Sequence, residues 1–125
     1  MTSPGNHILL VTYDPLLGEL IPEMFVGEAD IPPFVVVHTL KAAQDELKSQ
    51  VFAVMITDWT RIPGPKAIAA AQEAGVPGIL VMNGGLATPE EIVRLGVESI
   101  PKPCSIEELI AAVRRLLEKQ KKLSA

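Results

Sequence analysis

Five short apolar runs, rich in β-branched residues, recur along the chain with helix-like segments between them. They read HILLVT (7–12), FVVVHT (34–39), FAVMIT (52–57), GILVM (78–82) and VESI (97–100). None alternates strictly between apolar and polar residues, a pattern typical of parallel strands that are covered on both faces. Five alternations of strand and helix therefore predict an open α/β sheet with right-handed crossovers.

The first helix has clear start signals, because Asp14 can serve as the N-cap and Pro15 as the first-turn proline. Pro22 is expected to kink this helix or to end it early. Its apolar residues fall at helical spacing and lie on one stripe: Leu16, Leu17, Leu20, Ile21, Met24 and Phe25.

The four later helices are predicted from similar signals. The second spans residues 40–48, and the third spans 65–74 and is closed by Gly75. The fourth, TPEEIVRLG, ends at Gly96, and the fifth begins with SIEE. Both open with a capping box, in which a Ser or Thr precedes a Glu by three positions: Thr88 with Glu91, and Ser105 with Glu108.

Length and composition predict a single domain over residues 1–125, with its core at about 6–118 and a helix end or linker at 119–125. The net charge of −4 offers no broad attraction for nucleic acid or for anionic lipid. Cys104 is the one cysteine, so no internal disulfide can form, and we expect a cytoplasmic protein. The chain shows no signal-peptide pattern and no membrane-spanning run, so no membrane partner is expected.

Ligands of open α/β sheets bind at the carboxyl ends of the strands, so the residues that follow each apolar run are candidates for a site. Asp58 follows the third run, and Lys102 follows the fifth within IPKP. A lone aspartate at a strand end is more often a cap or a turn residue, but a lysine held in a tight turn before Pro103 favours a site. The Lys102–Pro103 bond is a candidate for the cis isomer. The complete candidate set is Thr12, Tyr13, Asp14, His38, Thr39, Asp58, Trp59, Met82, Asn83 and Lys102.

Three segments, HILLVTYDPLLGELI, VMITDWTRIPG and IPKPCSIEELIAAVRRLL, resemble the receiver domain of two-component response regulators. The resemblance covers nearly the whole chain. It implies a flavodoxin-like, doubly wound sheet of five parallel strands in the order 2-1-3-4-5, with five helices. It also implies a phosphoacceptor aspartate after strand 3, a phosphate-contacting lysine after strand 5 and an acidic pair after strand 1 that helps to bind Mg²⁺. In this chain Asp58 matches the acceptor and Lys102 matches the lysine.

Other positions depart from the family pattern. Thr12 and Tyr13 stand where the acidic pair belongs, and Asp14 lies one place too late. Met82 replaces the hydroxyl residue that contacts the phosphoryl group, and a thioether can donate no hydrogen bond. Ser99 replaces the aromatic residue of strand 5, and the loop DWTRIPG has one residue more than usual. The chain therefore resembles a degenerate receiver, or pseudo-receiver.

Charge counting predicts weak magnesium binding at best. The family's resting site holds three carboxylates and one lysine, whereas Asp58 and Lys102 already sum to zero and should form a salt bridge. Adding a dication leaves +2, and each unit repulsion at about 4 Å costs roughly 4 kcal/mol at an effective dielectric near 20. A phosphorylated Asp58 beside Lys102 is not excluded by charge, but transfer without a bridging metal should be slow.

The sequence thus favours a docking module without enzymatic activity, whose phosphorylation is absent or inefficient. The alternative is a working phosphoacceptor, phosphorylated on Asp58 by a histidine kinase, with Mg²⁺ recruited by Asp14 or Asp58. The expected partner is a signalling protein or output domain, and a homodimer is possible. The expected contact face is formed by helix 4, strand 5 and helix 5, with Glu90, Arg94, Ile100, Ile106 and Arg114 on it.

An unrelated α/β enzyme or small-molecule binder is a third hypothesis, which the sequence favours least. No glycine-rich nucleotide signature is present. His7 and His38 lack partners at metal spacing and are expected to be structural or solvated, and Cys104 is expected to be a packed or idle thiol. Trp59 either stands exposed at the rim of the site or packs as a lid on the strand ends.

Overall fold

The structure is a computed structural model, and it describes residues 7–59, 61–85, 87–102 and 104–124. The Lys102–Pro103 bond, a candidate for the cis isomer, lies outside the described residues. The strands are β1 (Ile8–Val11), β2 (Phe34–Val37), β3 (Val54–Asp58), β4 (Gly78–Asn83) and β5 (Glu98–Pro101). The helices are α1 (Pro15–Met24), α2 (Leu40–Ser49), α3 (Gly64–Glu73), α4 (Pro89–Leu95) and α5 (Ile106–Ser124).

All strand pairs are parallel, and the order across the sheet is β2-β1-β3-β4-β5. This confirms the predicted flavodoxin-like, doubly wound α/β fold. β3 is the central strand, and β2 and β5 form the two edges. Within the part of the chain that the structure describes, no helix is both long enough and apolar enough to cross a membrane.

The apolar strand runs are unbroken because both faces of the inner strands are buried. Leu9 and Met55 belong to a core cluster with residues of α2 and α3, whereas Leu10 and Ile56 belong to a second cluster with residues of α1 and α5. Every residue of β1 and β3 is buried. The β3 run therefore delivers its last residue, Asp58, to the middle of the carboxyl edge of the sheet.

The predicted helix caps are confirmed. The side chain of Asp14 accepts a hydrogen bond from the amide of Leu16 at 2.9 Å. Both capping boxes form, since Thr88 and Glu91 bond reciprocally and so do Ser105 and Glu108. Gly96 closes α4 with a φ of 72°, in the left-handed region that glycine adopts without strain.

One expectation for α1 is corrected. Pro22 does not end the helix early, because a proline in the last turn removes only one intrahelical hydrogen bond, and α1 ends at Met24. The predicted stripe is only partly buried. Leu17, Ile21 and Phe25 pack in the core, whereas the other three residues of the stripe are exposed: Leu16, Leu20 and Met24.

Candidate functional site

Asp58 lies buried at the centre of a hydrogen-bond cluster. Its Oδ2 accepts from Thr12 Oγ1 at 2.9 Å and from the Tyr13 amide at 2.8 Å. Its Oδ1 accepts from Lys102 Nζ, also at 2.9 Å. The structure thus brings together the predicted ion pair, and the two residues that replace the acidic pair both donate to the carboxylate.

Strand topology explains this convergence. β1 is the direct neighbour of β3, with Val11 opposite Thr57, so the residues that follow β1 lie beside Asp58. Lys102 follows β5, two strands away, and its backbone amide donates to the carbonyl of Asn83 at 2.9 Å. That bond holds the segment after β5 against the end of β4, from which the lysine side chain reaches the carboxylate.

Thr12 is fully buried, and both its hydroxyl and its carbonyl form hydrogen bonds. Besides donating to Asp58, its hydroxyl accepts from the Asp14 amide at 3.2 Å. Its carbonyl lies 2.8 Å from Nδ1 of His38. The His38 ring therefore has a partner in the loop after β1, as expected for a structural histidine.

Tyr13 and Arg61 form the outer wall of the site. A cleft of about 380 Å³ opens over the carboxylate and is lined by Tyr13, Asp14, Pro15, Asp58, Arg61 and Lys102. The guanidinium carbon of Arg61 lies 4.8 Å from the centre of the Tyr13 ring, a cation–π geometry. Arg61 has a φ of 49°, which is uncommon for a residue other than glycine. Sequence reasoning missed Arg61, although the extra residue in its loop was a signal.

Met82 and Ser99 do not take part in the hydrogen-bond cluster around Asp58. Met82 lies opposite Asp58 in the strand register but is buried in the core cluster that contains Ile100. Ser99 lies exposed on the edge strand β5, opposite Val81. Asn83 organises the following loop, because its side chain accepts from the amides at positions 85 and 87 and donates to a carbonyl at 87.

The groups around Asp58 do not suit the binding of Mg²⁺. The ion prefers several oxygen ligands, including one or two carboxylates. Both oxygens of Asp58 already accept hydrogen bonds, and the groups from Thr12 and Tyr13 present hydrogens to that carboxylate. Asp14 uses Oδ1 to cap α1. Within residues 7–59, 61–85, 87–102 and 104–124, no three His, Cys, Asp or Glu side chains cluster closely enough to share a metal ion.

Trp59 and Cys104 lie beside the site without joining it. Trp59 is half-buried against the core, and a Cβ at Gly64 would come within 2.7 Å of its ring. The lid interpretation of Trp59 therefore fits better than the exposed rim. Burial raises the pKa of the Cys104 thiol, the nearby charge of Glu108 raises it further, and Lys102 opposes the shift. A raised pKa agrees with an idle thiol.

The expected docking face is only partly available. Glu90 and Arg94 are exposed as predicted. Ile100 is buried, which corrects the prediction, because its side chain packs in the core on the α5 side of the sheet. Ile106 is half-buried against the same core. Arg114 forms ion pairs with two acidic residues of the segment between α1 and β2, Glu28 and Asp30.

No protein-family model and no curated protein matches the chain. The receiver domain of Francisella response regulator 1452 superposes with a TM-score of 0.77 at 21% identity, covering 92% of this chain and 98% of its own. A CheY-like receiver domain protein from Methanospirillum hungatei JF-1 gives 0.81 at 17% identity, with coverages of 96% and 98%. The Vibrio cholerae chemotaxis protein CheY4 gives 0.76 at 17% identity, with coverages of 92% and 100%.

These similarities define the class of fold. The chain has the fold of response regulator receiver domains, with the same five-stranded order and five helices. Identities of 17–21% establish the fold and leave the activity to be argued from the site.

Proposed function

We propose that this chain is a receiver-like domain of two-component signalling that acts mainly by docking to a signalling protein or output domain. Magnesium-dependent phosphorylation of Asp58 is absent or inefficient in this role. The observation that carries the proposal is the state of Asp58, whose two oxygens are occupied by Thr12, Tyr13 and Lys102.

The physical reason lies in what phosphoryl transfer requires. The reaction depends on positioning and on charge stabilisation, which a bridging metal ordinarily supplies. Here Lys102 already neutralises the acceptor, and the first strand contributes a hydroxyl and an amide instead of carboxylates. Oδ2 of Asp58 must also give up its hydrogen bond from Thr12 or from Tyr13 before it can attack a phosphorus atom.

One observation favours the alternative function, a phosphoacceptor that is phosphorylated on Asp58 by a histidine kinase. The cleft over the carboxylate is lined by two cations, Lys102 and Arg61, which could attract a phosphoryl group without a metal. Static charge therefore permits the phosphorylated product, and the rate of its formation separates the two functions.

The partner surface and setting are part of the same proposal. On the face of α4, β5 and α5, the exposed residues Glu90, Val93 and Arg94 are available for a signalling partner or for a second copy of the chain. A docking role needs no enzymatic activity. The negative net charge and the single cysteine fit a cytoplasmic module that binds neither nucleic acid nor membranes.

The test is incubation with acetyl phosphate and Mg²⁺, followed by intact-mass measurement over time. We expect the wild-type chain to gain little or no phosphoryl group, and we expect Asp58→Asn to give the same baseline. Replacing Thr12 and Tyr13 by aspartate restores the acidic pair and should accelerate labelling at Asp58. Rapid, stoichiometric labelling of the wild-type chain at Asp58 would establish the alternative function instead.

A further inference from the structure

One peptide group in the loop after β1 is hydrogen-bonded on both of its sides. It contains the carbonyl of Thr12 and the N–H of Tyr13, which point in opposite directions in a planar, trans peptide. The N–H donates to Oδ2 of Asp58 at 2.8 Å, and the carbonyl lies 2.8 Å from Nδ1 of His38. Because β1 lies between β2 and β3, His38 contacts this peptide from the side of β2, and Asp58 contacts it from the side of β3.

The contact with Thr12 shows which nitrogen of the His38 ring holds a proton. A carbonyl oxygen can only accept a hydrogen bond, so Nδ1 of His38 must donate to it. The neutral ring is therefore the tautomer that is protonated on Nδ1, and an imidazolium would form the same bond. In both states the ring supplies a donor to the Thr12 carbonyl.

The His38 ring lies in a space that α1 leaves open. Gly18 is buried on α1, and a Cβ at this position would come within 2.7 Å of Cε1 of His38 and 3.0 Å of the Val36 side chain. The end of β2 holds the same loop by a second bond, because the Thr12 amide donates to the carbonyl of Val37 at 3.1 Å. Thr12 is therefore held through both its amide and its carbonyl.

The two hydrogen bonds of the Thr12–Tyr13 peptide support each other. A donor on the carbonyl polarises the peptide group and makes its N–H a stronger donor. This N–H donates to a carboxylate, and hydrogen bonds to charged groups are the stronger class. A planar peptide also cannot turn at one end alone, so a fixed carbonyl fixes the direction of the N–H. His38 thus influences Asp58 through this peptide.

We infer that His38 is a positioning residue of the Asp58 site, which holds the Thr12–Tyr13 peptide so that its N–H stays on Oδ2 of Asp58. The inference rests on the proposed function, because it identifies what keeps Oδ2 occupied in a domain whose phosphorylation is absent or inefficient. His38 is exposed, so the buried carboxylate is linked to a ring at the surface of the domain.

Amide hydrogen exchange at Tyr13, measured by NMR on the full-length, ¹⁵N-labelled chain, tests the inference. His38→Ala removes the donor to the peptide. We expect exchange of the Tyr13 amide to accelerate by about three- to tenfold, because its weakened hydrogen bond opens more often. His38→Asn is the rescue variant, since an asparagine amide nitrogen lies close to the position of Nδ1 and can donate to the same carbonyl. It should restore the wild-type exchange rate to within about twofold.

A merely structural role of His38 would give a different pattern. General loss of packing would accelerate exchange throughout β1 and α1, and asparagine would not rescue it. His7→Ala is the matched control, because His7 precedes the opposite end of β1, and it should leave the Tyr13 amide unchanged. Equal effects of His7→Ala and His38→Ala on this amide, or a failure of His38→Asn to restore slow exchange, would overturn the inference.

Substitution of Gly18 tests the role of the ring from the side of α1. Gly18→Ala places a methyl group 2.7 Å from Cε1 of His38, so the ring must shift and exchange of the Tyr13 amide should accelerate. In the His38→Ala background the new methyl group no longer meets the ring, and the further acceleration should be less than about twofold. Equal acceleration in both backgrounds would show that the ring does not transmit the change, which contradicts the inference.

The ¹⁵N shifts of the His38 ring test the hydrogen bond itself. In alkaline solution, where the ring is neutral, we expect its proton on Nδ1, because the Thr12 carbonyl stabilises this tautomer. A neutral ring with its proton on Nε2 would show that His38 does not donate to Thr12, and the inference would be wrong.

These measurements are independent of the acetyl phosphate experiment, because they require no phosphoryl transfer. A Tyr13 amide that is unchanged in His38→Ala refutes the positioning role of His38 alone. Efficient phosphorylation of Asp58 in the wild-type chain refutes the proposed function instead.

Discussion

Replacing Asp58 by asparagine should destabilise the protein, because the carboxylate accepts three hydrogen bonds. The asparagine retains one carbonyl oxygen and presents two N–H donors, so it cannot accept from Thr12, Tyr13 and Lys102 together. Hydrogen bonds to a charged group contribute about 1.5–3 kcal/mol each, against about 1 kcal/mol for neutral ones. The Lys102 side chain is 36% exposed, so its ion pair adds only about 1 kcal/mol. Weakening of the two bonds from Thr12 and Tyr13 by about 0.5–2 kcal/mol each, together with the ion pair, predicts a loss of about 2–5 kcal/mol in the free energy of unfolding.

Urea denaturation followed by circular dichroism and by the fluorescence of Trp59 measures this loss. The matched control is Asp45→Asn, which removes an exposed ion pair with Lys41 on α2 and should cost less than about 0.5 kcal/mol. In a site crowded with carboxylates, neutralising one of them would relieve repulsion and raise stability. An Asp58→Asn variant as stable as the wild type, or more stable, would therefore refute the hydrogen-bonded ion pair as the resting state.

Two further predictions concern residues beside the site. Gly64→Ala should destabilise the domain by about 1–3 kcal/mol and alter the emission of Trp59, because the added Cβ would meet that ring at 2.7 Å. Gly84→Ala meets nothing within 4 Å and serves as the control, so equal urea midpoints for the two variants would contradict the packing described. Cys104 should react with iodoacetamide more slowly at neutral pH than an unhindered cysteine, and its rate should rise in alkaline solution, since its pKa is raised. Mass spectrometry measures the alkylation rate, and fast alkylation at neutral pH would contradict a raised pKa of Cys104.

Features that depend on local signals could be predicted from the sequence. Strand runs without polar alternation indicated a sheet covered on both faces, and the Ser or Thr to Glu spacing indicated the starts of α4 and α5. Asp58 and Lys102 could be paired because the carboxyl ends of parallel strands share one edge of the sheet. Their ion pair could be predicted because, without an acidic pair after β1, the charges of Asp58 and Lys102 balance each other.

Features that depend on tertiary packing could not be predicted in the same way. An apolar residue at helical spacing does not show how far a neighbouring element covers it, and Leu16, Leu20 and Met24 remain exposed. The sequence predicts Ile100 on the docking face, although its side of β5 faces the α5 core. Arg61 reaches the site through a left-handed backbone conformation, which no periodic pattern encodes.

Calorimetric titration with Mg²⁺ tests the central claim most directly, because it measures whether the cluster around Asp58 leaves room for a dication. We predict no saturable heat for the wild-type chain at millimolar Mg²⁺, and saturable binding once Thr12 and Tyr13 are both replaced by aspartate. Each restored carboxylate adds attraction of roughly 4 kcal/mol per unit charge pair at about 4 Å and an effective dielectric near 20. Tight uptake by the wild-type chain that Asp58→Asn abolishes would contradict the account.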